Sequence, residues 1–400
     1  MFLRVNKIVN DSQSEYQYID SQVELNTFCA QAAKAPVLAL DTEFVRTRTF
    51  YAQLGLIQAY DGKDLVLIDP LVDLDLEPFW ELLTNKNIVK VLHSCHEDLE
   101  VFKVYSGRLP QPLFDTQIAG QFLNDGAVLG FGAAVEKTTG TVLDKGEART
   151  NWLKRPLEKT QLHYAANDVK YLLPLYHAFN DELVSRNLDQ YNLIEAELKV
   201  EQKRKDKIPA ELYQDFGNAW QLKRRELAVL KELTEWRYEV AIKKNLALGF
   251  VVKDATLFVL CQRRPSDLAS LKNIPDIHAS EIRIHGKALL ECIAKGKQVE
   301  LEDCPAVIPR LTDFPEYKQA FKLLKQLAAE ASEKHNVPLP LLATKKQLNQ
   351  WIKWTWKVPG QELPDFAQPW RHALLKDVLD VWNDKYELDK LSFNPLAKKG

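Results

Sequence analysis

Residues 37–46 read VLALDTEFVR. Four apolar residues run straight into two carboxylates, Asp41 and Glu43, with one threonine between them. A short apolar run of this kind reads as a buried strand. Side chains at i and i+2 of a strand share a face, so the two acids point the same way and repel each other. Like charges crowded at a strand end are relieved by a proton or by a bound cation, and the rest of the chain has to say which.

Outward from that strand, strand and helix signals alternate through the first ~190 residues. AQLGLIQAY (52–60) and KDLVLIDPL (63–71) read as two strands joined at Asp61-Gly62, a dipeptide suited to a tight hairpin. NIVKVLHS (87–94) is a fourth apolar strand, and EDLEVFKVYSG (97–107) has helical spacing and a glycine stop. LFDTQIAGQFL (113–123) and QLHYAANDVKYLLPLYHAF (161–179) continue with helical periodicity. Mixed strands and helices predict a layered α/β domain. The texture changes near residue 200, where ELKVEQKRKDKIP (197–209) reads as a linker or an exposed helix. Beyond it strand signals vanish. Two all-helical bundles are expected, separated by VELEDCPAVIPR (299–310), and the final NPLAKKG is expected to fray.

Four hundred residues predict two or three domains, and 46% hydrophobic with 27% charged residues is a globular composition. No run approaches the ~20 apolar residues of a membrane span, and the first residues lack the apolar core of a signal peptide. Cys29, Cys95, Cys261, Cys292 and Cys304 have no paired spacing. That suits a reducing, cytoplasmic setting. The net charge of −2 hides an asymmetry: residues 1–200 carry 19 Lys and Arg against 28 Asp and Glu, the remainder 34 against 27. An acidic half joined to a basic half predicts a polyanion held by one part and processed by the other.

More acids stand in telling places. HSCHEDLEVF (93–102) sets Asp98 at a helix start after a strand, and YAAND (164–168) puts Tyr164 and Asp168 on one helix face. Carboxylates converging from a strand and two helices make an oxygen-rich site for Mg²⁺ or Mn²⁺. Two such ions, about 3.5–4 Å apart, suit phosphodiester hydrolysis. His93, Cys95 and His96 are too few and too poorly framed for zinc, so they are assigned to packing.

LDTEF, HSCHEDLEVF and YAANDVKYL resemble the three motifs of the DEDD 3′→5′ exonucleases, and Tyr-x-x-x-Asp resembles the tyrosine branch of that superfamily. The likeness extends through FDTQIAGQFL, KGEARTNWLKRPL and both helical regions, and within the superfamily it is greatest to the ribonuclease D family. That resemblance implies an α/β ribonuclease H-like exonuclease domain, a mixed sheet flanked by helices, over residues 14–200. Two all-α HRDC helical bundles would follow, over 215–300 and 312–390. It further implies that Asp41, Glu43, Asp98 and Asp168 bind two divalent metal ions and that Tyr164 holds the attacking water. With a free pKa of about 10, a tyrosine orients such a water better than it deprotonates it.

Lys145, Arg149, Lys154 and Arg155 surround Trp152 in LDKGEARTNWLKRP (143–156), a pattern that suits stacking of a base with phosphate contacts. Lys145, Arg149, Trp152 and His163 are the substrate-binding candidates. WIKWTWK (351–357) interleaves aromatics with lysines, but Trp351 and Trp354 share a helix face, which favours core packing. In the first bundle Lys243, Lys244, Arg263, Arg264, Arg283 and Lys287 supply cations. The second, carried by LLATKKQLNQWIKW and WRHALL, is the weaker likeness.

The resulting expectation is a metal-dependent 3′→5′ exoribonuclease releasing 5′-mononucleotides. Its partner would be RNA with a free single-stranded 3′ end, by resemblance a tRNA precursor, with no membrane partner and a monomeric state favoured. A DNA exonuclease of the same superfamily and a catalytically inactive nucleic-acid-binding scaffold are the alternatives.

Overall fold

The computed structural model describes residues 16–391 apart from 145, 148, 359, 360, 388 and 390. The start of the expected first domain, Lys145 and the NPLAKKG tail therefore lie outside the described residues. The chain forms two compact units, one of the described residues to Arg46 with Tyr51–Lys205, the other of Thr47–Phe50 with the described residues from Asp206 onward.

The first unit is built on strands β1 (Gln17–Ile19), β2 (Val37–Val45), β3 (Gln53–Tyr60), β4 (Leu65–Ile68), β5 (Val89–Leu92) and β6 (Leu113–Asp115). They form one sheet in the order β1-β4-β3-β2-β5-β6. β2, β3 and β4 are antiparallel neighbours, while β1 on β4, β5 on β2 and β6 on β5 run parallel. Parallel pairs need crossovers, and α1 (Gln22–Ala32), α2 (Glu77–Thr84) and α3 (His96–Ser106) lie in them, while α4 (Thr116–Leu123), α5 (Phe131–Thr139), α6 (Lys159–Lys170), α7 (Leu172–Ser185) and α8 (Asp189–Arg204) follow β6.

One reading is corrected and another is decided. The β3–β4 connection is not a two-residue turn at Asp61-Gly62 but a four-residue loop, 61–64. The Asp61 carboxylate accepts from the Lys63 and Asp64 amides at 2.8 and 2.7 Å, and Gly62 alone takes a positive φ of 93°. An aspartate bonding its own backbone two residues on sets this wider turn. Of the two readings of the polar stretch at 197–209, linker or exposed helix, the helix holds as far as Arg204, the end of α8. Val200 is buried, and Lys203 meets Glu100 at 3.4 Å.

Lys90 in β5 is fully buried, and its ammonium donates to the carbonyls of Asn85, Ile88 and Gln111 at 2.6–2.7 Å. Three acceptors match its three donors, and they tie the entries to β5 and β6 together. Gly55 in β3 admits a close approach: a Cβ there would lie 2.6 Å from the Trp152 carbonyl oxygen.

The second unit is helical. Its first bundle contains α9 (Arg224–Lys244), α10 (Leu248–Val251), α11 (Asp254–Arg263), α12 (Leu268–Leu271) and α13 (Ala279–Gln298). Leu230, Leu233, Leu257, Leu260, Leu289 and Ile293 belong to its core. α9 and α13 cross so closely that a Cβ on Gly296 would lie 2.5 Å from Val229 Cα. The second bundle contains α14 (Tyr317–His335), α15 (Leu339–Leu342), α16 (Lys345–Thr355) and α17 (Pro369–Tyr386). Two of its buried indoles are satisfied, Trp382 donating to the Ala320 carbonyl and Trp356 to that of Tyr386, each at 2.8 Å, whereas the buried Nε1 of Trp351 has no hydrogen-bond partner among the described residues. Trp351 is buried and Trp354 is 41% exposed, so the aromatic run is divided between core and surface.

Candidate active site

β2 runs further than its parallel neighbour. Its pairing with β5 spans Val37–Ala39, whereas its pairing with β3 continues to Val45 through a bulge at Glu43/Phe44. Asp41 and Glu43 therefore sit on the part of β2 that β5 leaves open, one residue apart and on one face. α6 packs against β2 and brings Asp168 to that face. One ligand oxygen from each of Asp41, Glu43 and Asp168 lies within 4.8 Å of the others, and all three side chains keep a partial opening to solvent.

Asp98 enters from the first turn of α3 and is 7% exposed. It stands outside the three-carboxylate group, and its Oδ1 accepts the Thr42 hydroxyl at 2.5 Å. Its charge still acts on Asp41 and Glu43. The start of α3 is itself fixed from β6. Asp115 accepts from the Ser94 and Cys95 amides at 3.0 and 2.9 Å and caps α4 through the Gln117 amide at 2.8 Å. Ser94 has a φ of 59°, a left-handed conformation that these contacts hold in place. Thr42 and Asp115 were not singled out in the sequence. Thr42 could have been, since strand alternation turns the residue between two same-face acids to the other side.

Every acid of the cluster is pushed towards its protonated form. Burial raises Asp41 well above the usual carboxylate range, and the charges of Asp98, Asp168 and Glu43 raise it further. Burial and then Asp168 and Asp98 lift Glu43 to about 9. Asp98 is lifted to about 7 by burial, against the Thr42 hydrogen bond. Asp168 reaches about 7 by burial, against the hydrogen bond from Tyr164. The Tyr164 phenol is itself driven far up, first by burial and then by the carboxylates of Asp168, Glu43 and Asp41.

Such a set fits a hard divalent cation, which prefers carboxylate oxygens and relieves their repulsion. A stability signature follows. These acids bind protons more tightly folded than unfolded, where their values are about 4. Their contribution is complete at low pH and is lost as pH rises through the folded values. The Tm of metal-free protein should therefore fall from roughly pH 5 to roughly pH 9, through the values of Asp98 and Asp168 and then that of Glu43, and the upward shift in Tm on adding Mn²⁺ should grow over the same range. Calorimetric scans with and without the ion check this; a metal-induced shift that shrinks as pH rises would contradict it.

The expected substrate contacts fare unevenly. Trp152 is 1% exposed and packs 6.2 Å from the Tyr164 ring centroid, so it is a core residue and offers no stacking face. Its close approach to Gly55 buries it. Arg155 is likewise structural. Its guanidinium holds both oxygens of Asp69 at 2.6 Å and donates to the carbonyls of Gly55 and Trp152 at 2.5 and 2.8 Å. Arg149 and His163 are exposed, His163 lying edge-on to Tyr16. Cys95 is buried and His93 half-buried, with His93 Nδ1 2.9 Å from the Thr116 hydroxyl, in keeping with a packing role, whereas His96 is exposed.

Comparison with known proteins matches this arrangement. Residues 16–184 fit the 3'-5' exonuclease family, 226–293 the HRDC domain, and 315–379 the ribonuclease D C-terminal HRDC domain. Ribonuclease D of Shewanella sp. (strain ANA-3) is 43% identical, covering 92% of this chain and 94% of its own length. That of Escherichia coli (strain K12) is 41% identical, covering 91% and 97%. The crystal structure of E. coli RNase D, described as an exoribonuclease involved in structured RNA processing, superposes with a TM-score of 0.88 at 40% identity over 93% of this chain and 100% of that one. The catalytic core of RRP6 from Trypanosoma brucei shares the fold at 20% identity, with a TM-score of 0.57 over 72% of this chain and 81% of its own. A six-stranded mixed sheet with acids gathered at the overhang of its β2 strand, followed by two helical bundles, is here the framework of a 3′→5′ exoribonuclease, and the chain belongs to the ribonuclease D family.

Proposed function

We propose that this exoribonuclease trims unpaired 3′ ends of structured RNAs, tRNA precursors among them, releasing 5′-mononucleotides, with two Mg²⁺ or Mn²⁺ ions held by Asp41, Glu43, Asp98 and Asp168. The observation that carries this reading is the convergence of Asp41, Glu43 and Asp168 within ligand distance of one another, with Asp98 beside them. When bound, the ions supply Lewis acidity to the attacking water and neutralise charge on the leaving oxygen. Asp41 and Glu43 hold one wall of the site on a rigid strand, and Asp168 closes it from α6. Tyr164 orients the attacking water through its hydroxyl. Its raised pKa keeps it protonated at neutral pH, so it acts as a hydrogen-bonding group and not as the base. Thr42 positions Asp98. Arg149 and His163 are the proposed substrate contacts, with Lys145 alongside them in sequence; Trp152 is removed from that role.

The reading includes a cytoplasmic, monomeric enzyme, which the five free and buried cysteines suit. Its test is a ladder assay on a tRNA precursor with a single-stranded 3′ trailer, the same trailer paired to a complementary strand, and a matched DNA. Stepwise loss of the unpaired RNA trailer as 5′-mononucleotides, abolished by EDTA, is the expected result. Equal trimming of the paired trailer, or products other than 5′-mononucleotides, would overturn it.

A further inference from the structure

The helical unit carries a groove of about 770 Å³, within the range of ligand sites. One wall is a face of α16, where Lys346, Asn349, Gln350 and Lys353 recur at helical spacing with Lys345 beside them. The opposite face of the same helix buries Leu348, Trp351 and Ile352 in the second bundle. The run WIKWTWK thus sends two of its tryptophans, Trp351 and Trp356, into the core and turns a lysine to the groove. The other walls come from the non-helical segment 306–310 and the turn at Leu311–Asp313 that follows it, the short helical turns near Tyr213 and Trp220, and Tyr317 of α14. The lining holds Lys345, Lys346, Lys353 and Arg310 with one carboxylate, Asp215, and Arg310 is paired with Asp313 beside it.

Arg310 gives the groove a flat element. Its guanidinium lies over the Trp220 ring, 4.0 Å from the centroid, and Asp313 fixes its plane through a 2.8 Å ion pair. Arg310 and Trp220 both remain exposed, at 46% of the arginine side chain and 38% of the tryptophan. A stacked guanidinium offers its outer face to a nucleobase. In the wall nearby, Gln350 Oε1 is buried with no hydrogen-bond partner, an acceptor that a ribose hydroxyl or a base amine would satisfy. An acidic peptide would meet the lysines but leave the stacking platform unused.

We propose that this groove is a second binding site of the enzyme for single-stranded RNA. Lys346 and Lys353 take backbone phosphates, and the Arg310–Trp220 stack takes a base. The proposal rests on RNA being the substrate class and adds a site on the helical unit to the one on β2 and α6.

The test uses full-length protein and a single-stranded RNA of about 20 nucleotides, with affinity measured in EDTA across a salt series so that no hydrolysis intervenes. Lys346→Gln with Lys353→Gln should weaken binding roughly 10-fold at moderate salt and reduce the slope of log affinity against log salt by ~0.7 for each phosphate no longer held. Arg310→Lys keeps the charge but removes the plane, and should cost affinity several-fold with little change in slope. Lys322→Gln with Lys325→Gln changes the same charge on α14 outside the groove, and should leave both quantities at wild-type values. An unchanged slope in the groove variant, or an equal loss in the α14 variant, would overturn the groove. Hydrolysis of the same RNA by wild-type protein in Mg²⁺ is scored separately. A wild type that binds through the groove yet does not trim contradicts the functional reading alone, and one that trims with the groove variant's slope unchanged contradicts the groove alone.

Discussion

Asp41→Asn should lower the rate of RNA trimming by at least about 10³-fold at saturating Mg²⁺, beyond the 10–100-fold typical of groups that only orient a ligand. Asp41 stands at the centre of the cluster, within reach of Glu43, Asp168 and the charge of Asp98. An amide keeps the shape but removes the charge that attracts the ion. The fold should survive, and at neutral pH the metal-free variant should melt at or above the wild-type temperature because a repelling charge has gone. Single-turnover assays paired with thermal melts separate the two effects. Near-normal turnover would remove Asp41 from the site, and a large drop in melting temperature would make it a structural residue.

Tyr164→Phe should slow the chemical step roughly 10²-fold, the usual contribution of a positioned acid–base group, while RNA affinity changes little. The hydroxyl is proposed to hold water and already bonds Asp168. Because burial and three carboxylates keep the phenol protonated, the pH–rate profile should keep its shape in the variant. Loss of a limb of that profile would make Tyr164 the base; loss of affinity at an unchanged single-turnover rate would make it a binding residue.

The parts of this site that were legible in the sequence share a cause. Asp41 and Glu43 are fixed to one face by the period of a strand, and Tyr164 and Asp168 by the period of a helix, so their relation is local. Asp98 was placed by a strand followed at once by a helix start. What was not legible depends on distant contacts. Trp152 sits among cations in the chain, yet it is buried because β3 offers a glycine 97 positions earlier. Arg155 resembles a phosphate ligand until Asp69, from the end of β4, takes two of its three guanidinium nitrogens. Asp115 could be read as a helix cap from its place before Thr116, but its hold on the Ser94–Cys95 turn required the β5–β6 register. The hairpin at Asp61 was misjudged because the aspartate bonds its own backbone, an option that its sequence left open beside the tight turn.

The most direct test of the account is a calorimetric titration of Mn²⁺ into wild-type protein, Asp41→Asn and Asp168→Asn, at a pH near 8 and without RNA. The account predicts saturable binding to the wild type that either substitution abolishes or weakens by an order of magnitude or more, with proton release on binding because Glu43, pushed up to about 9, starts protonated. Unchanged affinity and stoichiometry in both variants would contradict it, placing the ions elsewhere and leaving the acids at the β2 overhang without the role proposed for them.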